Sequence, residues 1–270
     1  MFLAIVLIIT LLWLLVLLNS IKPRERYTYK CFLLTLPESV ERRQNFLRSY
    51  NHNIPLEIIY GANTKILSVA REFEDRVDPE YFEKAVQIHY DPSVKRPDIT
   101  YFNLGAIGCY MGHMEFYERC FERGLQYAVI FEDNVVIKSR KLYDEIQKVI
   151  NEKGDDFEMC FFHCLGRLTE STEKELEKVR WISSTKCYLV NVNNMRRYQK
   201  FFLPMDNHID MKHEDIIDQG ARVYYKDLRN CIKIDVSVGP STIGHSQHER
   251  PEFFSKIYPE LPRNVLRPGY

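Results

Sequence analysis

The strongest constraint on the fold lies at residues 104–137, where a helical pattern runs into a buried strand. In "LGAIGCYMGHMEFYERCFERG", Ile107, Tyr110, Met111, Met114, Tyr117 and Phe121 recur at three and four residues, the spacing of an amphipathic helix that Gly124 can cap. "YAVIF" (Tyr127 to Phe131) follows without a polar partner position, so it predicts a strand buried on both faces. It stops on Glu132, Asp133 and Asn134. A helix feeding such a strand is a unit of an α/β layer fold.

The rest of the chain repeats the alternation. "YKCFLLTL" (Tyr29 to Leu36) predicts the first strand, "PESVERRQNFLRSY" a helix and "LEIIYGAN" a second strand closed by Gly61. Residues 64–103 are polar, carry Pro79, Pro92 and Pro97, and predict a long excursion with one helical piece. Beyond the acidic tip, the pattern predicts a helix at Lys141 to Asn151, a strand at "EMCFFHCLG", a charged helix around Thr172 to Lys178 and a strand at "TKCYLVN". A helix at Asn193 to Phe202, a polar turn "LPMDNHIDMKHED", strands "RVYYK" and "CIKIDV", and a proline-bearing tail complete it. The expected architecture is α/β, a mostly parallel sheet flanked by helices.

Ahead of this domain, Phe2 to Leu18 is an apolar run with Thr10 as its only polar member. As a helix it spans roughly 26 Å, enough for a hydrocarbon core that thins slightly. A basic n-region and a small-residue cleavage site are both missing, which favours an uncleaved anchor over a signal peptide. The division is residues 1–21 as transmembrane signal-anchor, 22–28 as juxtamembrane linker and 29–270 as the catalytic domain. Lys22, Arg24, Arg26 and Lys30 all follow the run, and positive charges prefer the cytoplasmic side. A transferase facing the lumen of the ER or Golgi needs the opposite orientation, so the side of the membrane stays open.

Composition removes other classes. Lys plus Arg and Asp plus Glu are each 37 in 270 residues, which gives no basic stripe for nucleic acid. The seven cysteines are an odd count scattered along the chain and define no disulfide framework. There is no serine-hydrolase elbow, Walker loop or dinucleotide-binding glycine motif.

Ligands of open α/β sheets bind beyond the carboxyl ends of the strands, where Glu132, Asp133 and Asn134 fall. Clustered oxygen ligands there suit Mg²⁺ or Mn²⁺, which could neutralise a departing diphosphate. An acidic pair that caps the next helix or faces water is the plainer account.

The wider pattern resembles glycosyltransferase family 25, known from lipooligosaccharide and collagen galactosyltransferases. Gly105, Gly108, Cys109 and His113 match its Gly-x-x-Gly-Cys helix start with a downstream histidine, and Glu132 and Asp133 match its strand ending in Glu-Asp-Asp. "FLLTLPESVERR" is similar to the family's first strand and turn, with Arg42 and Arg43 near the expected nucleotide. "STKCYLVNVNNMRRY" is similar to its Gly-Thr-x-x-Tyr stretch, and "LPMDNHID" to its Pro-x-Asp turn. The likeness spans about residues 29–215. It implies a GT-A-like fold and an inverting, metal-assisted hexosyltransferase that takes galactose or glucose from a UDP-sugar to a hydroxyl on glycan, lipid or protein. Glu132 and Asp133, with Arg42, Arg43 and His113, would hold the donor, and Asp133, Asn134 and the tail's His245 the metal. Three positions depart from the pattern: Asn134 replaces a third acidic residue, Gly112 a serine and Ser184 a glycine. They leave open a weakened or inactive GT-A-like scaffold. A metal-dependent phosphohydrolase finds no support in the motif order.

Inversion needs a base at the acceptor hydroxyl. Asp206 stands first, in the turn it shares with Asp210. Asp215 follows, beside Glu214 in a "HED" that reads as a helix start, where carboxylates also cap. His113 is equally a core residue, and Cys160, His163 and Cys164 fall on alternating faces of a strand, which disfavours zinc there.

Overall fold

A computed structural model of the chain describes residues 27–90, 103–235 and 237. The expected anchor at 1–21 and His245 lie outside the described residues. Among the described residues, no helix is long and apolar enough to cross a membrane.

The sheet opens with β1 (Tyr29–Thr35), flanked by β2 (Leu56–Tyr60) and β3 (Tyr127–Glu132), both parallel to it. Next across are β8 (Cys187–Asn191) and β5 (Met159–Phe161), then β9 (Val223–Tyr225), β7 (Leu176–Ser183) and β6 (Gly166–Glu173), in the order β2-β1-β3-β8-β5-β9-β7-β6. Pairings to β8 and β7 are antiparallel and β5 pairs parallel with β9, so six of the eight strands run in one sense. The expectation of a mostly parallel sheet holds in that sense. A small second ladder joins β4 (Val135–Ile137) to β10 (Ile232–Ile234) just past the acidic tip.

Strand alternation divides the core into two layers. Phe32, Leu34, Ala128, Ile130, Tyr188 and Val190 pack on one face, and Cys31, Leu33, Val129, Phe131, Cys187 and Leu189 on the other. The first layer is covered by α2 (Leu67–Arg71), α3 (Pro79–Tyr90), the long α4 (Leu104–Glu122) and α7 (Ile209–Asp218). Over the second lie α1 (Val40–Ser49) and α5 (Lys141–Lys153), through Phe46 and Leu142, Tyr143, Ile146, Val149 and Ile150. Val192–Met195 forms a single turn, α6, that passes into a 3-10 helix at Arg196–Phe201. All seven cysteines are free thiols.

The structure corrects two expectations. Thr172 to Lys178 is not a charged helix but the turn and inner flanks of the β6–β7 hairpin, with Glu173 opposite Leu176 and Lys174 in the left-handed region at φ 54°. Its charges are spread over the end of β6 (Glu173), the turn (Lys174, Glu175) and the start of β7 (Glu177, Lys178). On the exposed edge strand β6 such charge discourages pairing with another sheet. The stretch expected as a polar turn contains α7, whose inward face is Ile209, Lys212, His213 and Ile216. Two of those four are polar, which hid the helical period. Glu214 and Asp215 therefore lie within the helix, not at its start, and the carboxylate of its first turn is Asp210.

Candidate active site

The carboxyl ends of β1, β2 and β3 share an edge with the first turns of α4. Between them is a cleft of about 510 Å³, partly open to solvent, lined by Leu34–Leu36, Gly61–Thr64, Gly105, Gly108, Cys109, Glu132 and Asp133. Close approach of α4 depends on glycine: a Cβ on Gly108 would come within 2.3 Å of the Ala62 carbonyl oxygen and 2.7 Å of Thr64 Oγ1. That hydroxyl accepts from the Gly108 amide at 2.8 Å and donates to the Leu104 carbonyl at 2.5 Å, tying the β2 loop to the helix. At Gly112, where the family pattern has serine, the nearest atoms to a Cβ would all be in the Leu34 side chain, Cδ1 at 2.6 Å and Cδ2 at 3.1 Å.

The two carboxylates at the strand tip face opposite partners. Glu132 accepts from Thr185 Oγ1 at 2.5 Å and from Lys186 Nζ at 2.6 Å. Burial would raise its carboxyl, but the Lys186 ammonium, His113 and the Thr185 hydroxyl together outweigh this and hold it down to about 2. Conversely, burial would strip the Lys186 proton, but Glu132 keeps the group above the usual lysine range. Asp133 accepts from Thr35 Oγ1 at 2.7 Å and pairs with Arg42 at 2.7 Å. Its carboxyl is nevertheless pushed up, because burial exceeds the help from Arg42. Arg43 turns away, donating to the carbonyls of Leu36 and Pro37 at 3.0 and 3.1 Å and lying over the Tyr60 ring. Arg42 is thus at the carboxylates, while Arg43 braces the loop that lines the cleft.

His113 is fully buried on α4. Its Nδ1 is 2.7 Å from the Tyr188 hydroxyl, and its Nε2 faces Glu132 Oε1 at 4.0 Å with no hydrogen-bond partner among the described residues. Burial pulls its pKa down to about 4, so the ring is neutral.

The acidic residues of the α7 region separate. Asp206 is 54 % exposed and pairs with Lys212 at 2.6 Å; Asp215, 55 % exposed, reaches the same ammonium at 3.3 Å. Neither lines the cleft. Glu214 sits by the Trp181 indole, and burial, reinforced by Asp210, lifts its carboxyl to about 9, so it carries its proton at neutral pH. Asp210 accepts from Ser183 Oγ at 3.1 Å, and its charge is felt at Cys109 and His113 on α4. Asp206 and Asp215 are felt instead at Tyr110, further along α4, so Asp210 is the α7 carboxylate felt at Cys109, which lines the cleft.

A divalent cation on Asp133 and Asn134 does not fit this arrangement. Both Asp133 oxygens are engaged, one by a guanidinium that a cation would have to face. Asn134 offers a buried Oδ1 without a partner among the described residues, but a single neutral amide oxygen is a weak ligand set.

The family model "Glycosyltransferase family 25 (LPS biosynthesis protein)" matches residues 28–236. The chain belongs to glycosyltransferase family 25. Procollagen galactosyltransferase 1 of Danio rerio is 24 % identical over 152 residues, which is 55 % of this chain and 23 % of that protein. The chain thus spans about a quarter of that relative's length. Among solved structures, a UTP-bound UGPase from Acinetobacter baumannii is similar at a TM-score of 0.44 and 9 % identity, over 87 % of this chain and 99 % of its own. Mouse xyloside xylosyltransferase 1 is similar at a TM-score of 0.36 and 8 % identity, over 87 % and 83 %.

Sequence reasoning missed Thr35 and Lys186. A lysine directly before the buried strand Cys187–Asn191 was a usable signal, since a charge there needs a partner at the sheet edge. Thr185 stood in the matched stretch, but only the fold brings it to Glu132.

Proposed function

We propose that this chain is a hexosyltransferase of GT-A-like fold that moves galactose or glucose from a UDP-sugar to a hydroxyl on a glycan, lipid or protein, with inversion. The observation that carries the reading is the cleft at the ends of β1, β2 and β3, lined by Glu132 and by Asp133, which pairs with Arg42. A nucleotide diphosphate is the ligand class for which such a strand-tip crevice is suited. Arg42 and Lys186 supply the cations that the diphosphate needs, and Thr35 and Thr185 hold the carboxylates that position them.

In the transfer, the acceptor oxygen attacks the anomeric carbon as its proton passes to a carboxylate, and the bond to the diphosphate breaks with its electron pair leaving on UDP. Asp210 is better situated for that proton than Asp206 or Asp215, whose carboxylates share Lys212. Glu214, protonated at neutral pH, is poorly suited to act as base. An anchor at residues 1–21 would hold the domain at an ER or Golgi membrane.

The full chain, purified in detergent and given UDP-galactose or UDP-glucose with a hydroxyl acceptor, should release UDP, and Asp133→Ala should slow release at least tenfold. An unchanged rate in that variant ends the assignment of Asp133. The internal neutralisation of both tip carboxylates favours a second reading, a donor-binding protein with weak turnover. UDP that raises the melting temperature without UDP release from either sugar would select it.

A further inference from the structure

Cys109 and His113 are four residues apart on α4, so they share one face, and Glu132 approaches that face from the tip of β3. Their potential ligand atoms, Sγ, a ring nitrogen and a carboxylate oxygen, all lie within 4.8 Å of one another. We infer that these three side chains form a metal site for a borderline ion of the Zn²⁺ or Co²⁺ class, separate from the acidic strand-tip pair Asp133 and Asn134.

Three observations carry the inference. The first is the donor set, thiol, imidazole and carboxylate, which suits such ions better than Mg²⁺ or Ca²⁺. The second is His113 Nε2, a ring nitrogen in a fully buried side chain that has no partner among the described residues and faces Glu132 Oε1 at 4.0 Å. The third is the other ring nitrogen. Nδ1 lies 2.7 Å from the Tyr188 hydroxyl, which can accept the Nδ1 proton and leave the Nε2 lone pair for a metal, the outer arrangement common to metal-bound histidines.

The geometry needs a modest closure. Ligands of a tetrahedral ion at roughly 2.0–2.3 Å stand about 3.5 Å apart, so shifts of about an ångström bring the three together. Glu132 Oε1 accepts from the neutral Thr185 hydroxyl at 2.5 Å and keeps a second lone pair for the ion, while Oε2 keeps Lys186 at 2.6 Å on the other side of the carboxylate. Cys109 and Glu132 both line the cleft, which leaves the fourth position facing the space where a donor would lie. Binding converts the Cys109 thiol to thiolate and passes its proton to solvent. A 2+ ion then balances one thiolate and one carboxylate, leaving the Lys186 charge for an anionic ligand.

The test uses the full chain, stripped with a chelator and titrated with Co²⁺ alone, and does not depend on sugar transfer. One equivalent should bind, with a sulfur-to-cobalt charge-transfer band in the near ultraviolet. Cys109→Ser should abolish the band and His113→Gln should weaken binding at least tenfold, whereas Cys164→Ser should leave both unchanged. A band that survives Cys109→Ser, or none in the parent chain, overturns the site. Should the substituted chains fail to fold, X-ray absorption of the Zn²⁺-loaded parent decides. One sulfur with nitrogen and oxygen neighbours supports the site, and a shell of oxygen and nitrogen alone removes it.

Discussion

Lys186 Nζ and Glu132 Oε2 lie 2.6 Å apart at the edge of the cleft, joining residues 54 positions apart in sequence. The pair is side-chain-buried to roughly nine tenths on the Glu132 side and is reinforced by Thr185. Removing one partner strands a charge in a poorly solvated place. We predict that Lys186→Met lowers unfolding free energy by about 3 kcal/mol, while Lys186→Met with Glu132→Gln recovers most of it. Urea denaturation at pH 7 measures both, and a single-variant loss below about 0.5 kcal/mol would mean that the pair is solvated like an ordinary surface bridge.

Glu214 gives a prediction with a definite sign. Its folded-state pKa, raised to about 9 from an ordinary 4.5, makes the protonated form the one the fold tolerates. The favourable contribution is present in full below about pH 4.5 and is lost as pH rises through 9, at up to about 1.4 kcal/mol per pH unit inside that window. Glu214→Gln should therefore flatten the stability profile between pH 5 and 9, and its melting temperature should exceed that of the parent chain by more at pH 8.5 than at pH 5.5. Parallel profiles for the two proteins would refute the buried-acid assignment.

Gly108 and Gly112 separate a backbone clash from a side-chain one. Gly108→Ala drives a methyl into the Ala62 carbonyl, which cannot rotate away, and should cost about 2 kcal/mol and weaken UDP binding by displacing the β2 loop. Gly112→Ala meets a leucine methyl that can re-orient, so its cost should stay below about 1 kcal/mol. Thermal melts and calorimetric titration with UDP test the order; equal costs would show that the helix shifts as a body.

Asp210 should matter more to turnover than Asp206 or Asp215. If the α7 carboxylate sensed by Cys109 and His113 takes the acceptor proton, Asp210→Asn lowers kcat about a hundredfold with KM for the donor nearly unchanged. Asp206→Asn and Asp215→Asn, which only loosen Lys212, should stay within about threefold of the parent rate, a free-energy change typical of exposed pairs. Steady-state kinetics of the three variants would reverse the ranking if Asp206→Asn proved the slowest.

Patterning in the sequence determined the layer fold and the position of its acidic tip. Buried apolar runs and helical spacing are local properties of 5 to 20 residues, which is why β1, β3 and α4 were legible where they stand. The same locality explains the misses. The β6–β7 hairpin carries charges on an exposed strand, and α7 buries Lys212 and His213 within its inner face, so neither shows the apolar rhythm of its type. Arg42 and Arg43 are neighbours in sequence, yet only packing sends the first to Asp133 and the second to backbone carbonyls. Lys186, Thr185 and Thr35 reach the two tip carboxylates across the sheet, and Asp210, rather than Asp206, is the acid felt at Cys109 and His113. Those choices depend on which strands neighbour one another and how closely α4 can approach. No short window of residues contains that information, because the interactions that decide it link positions about 50 to 100 residues apart.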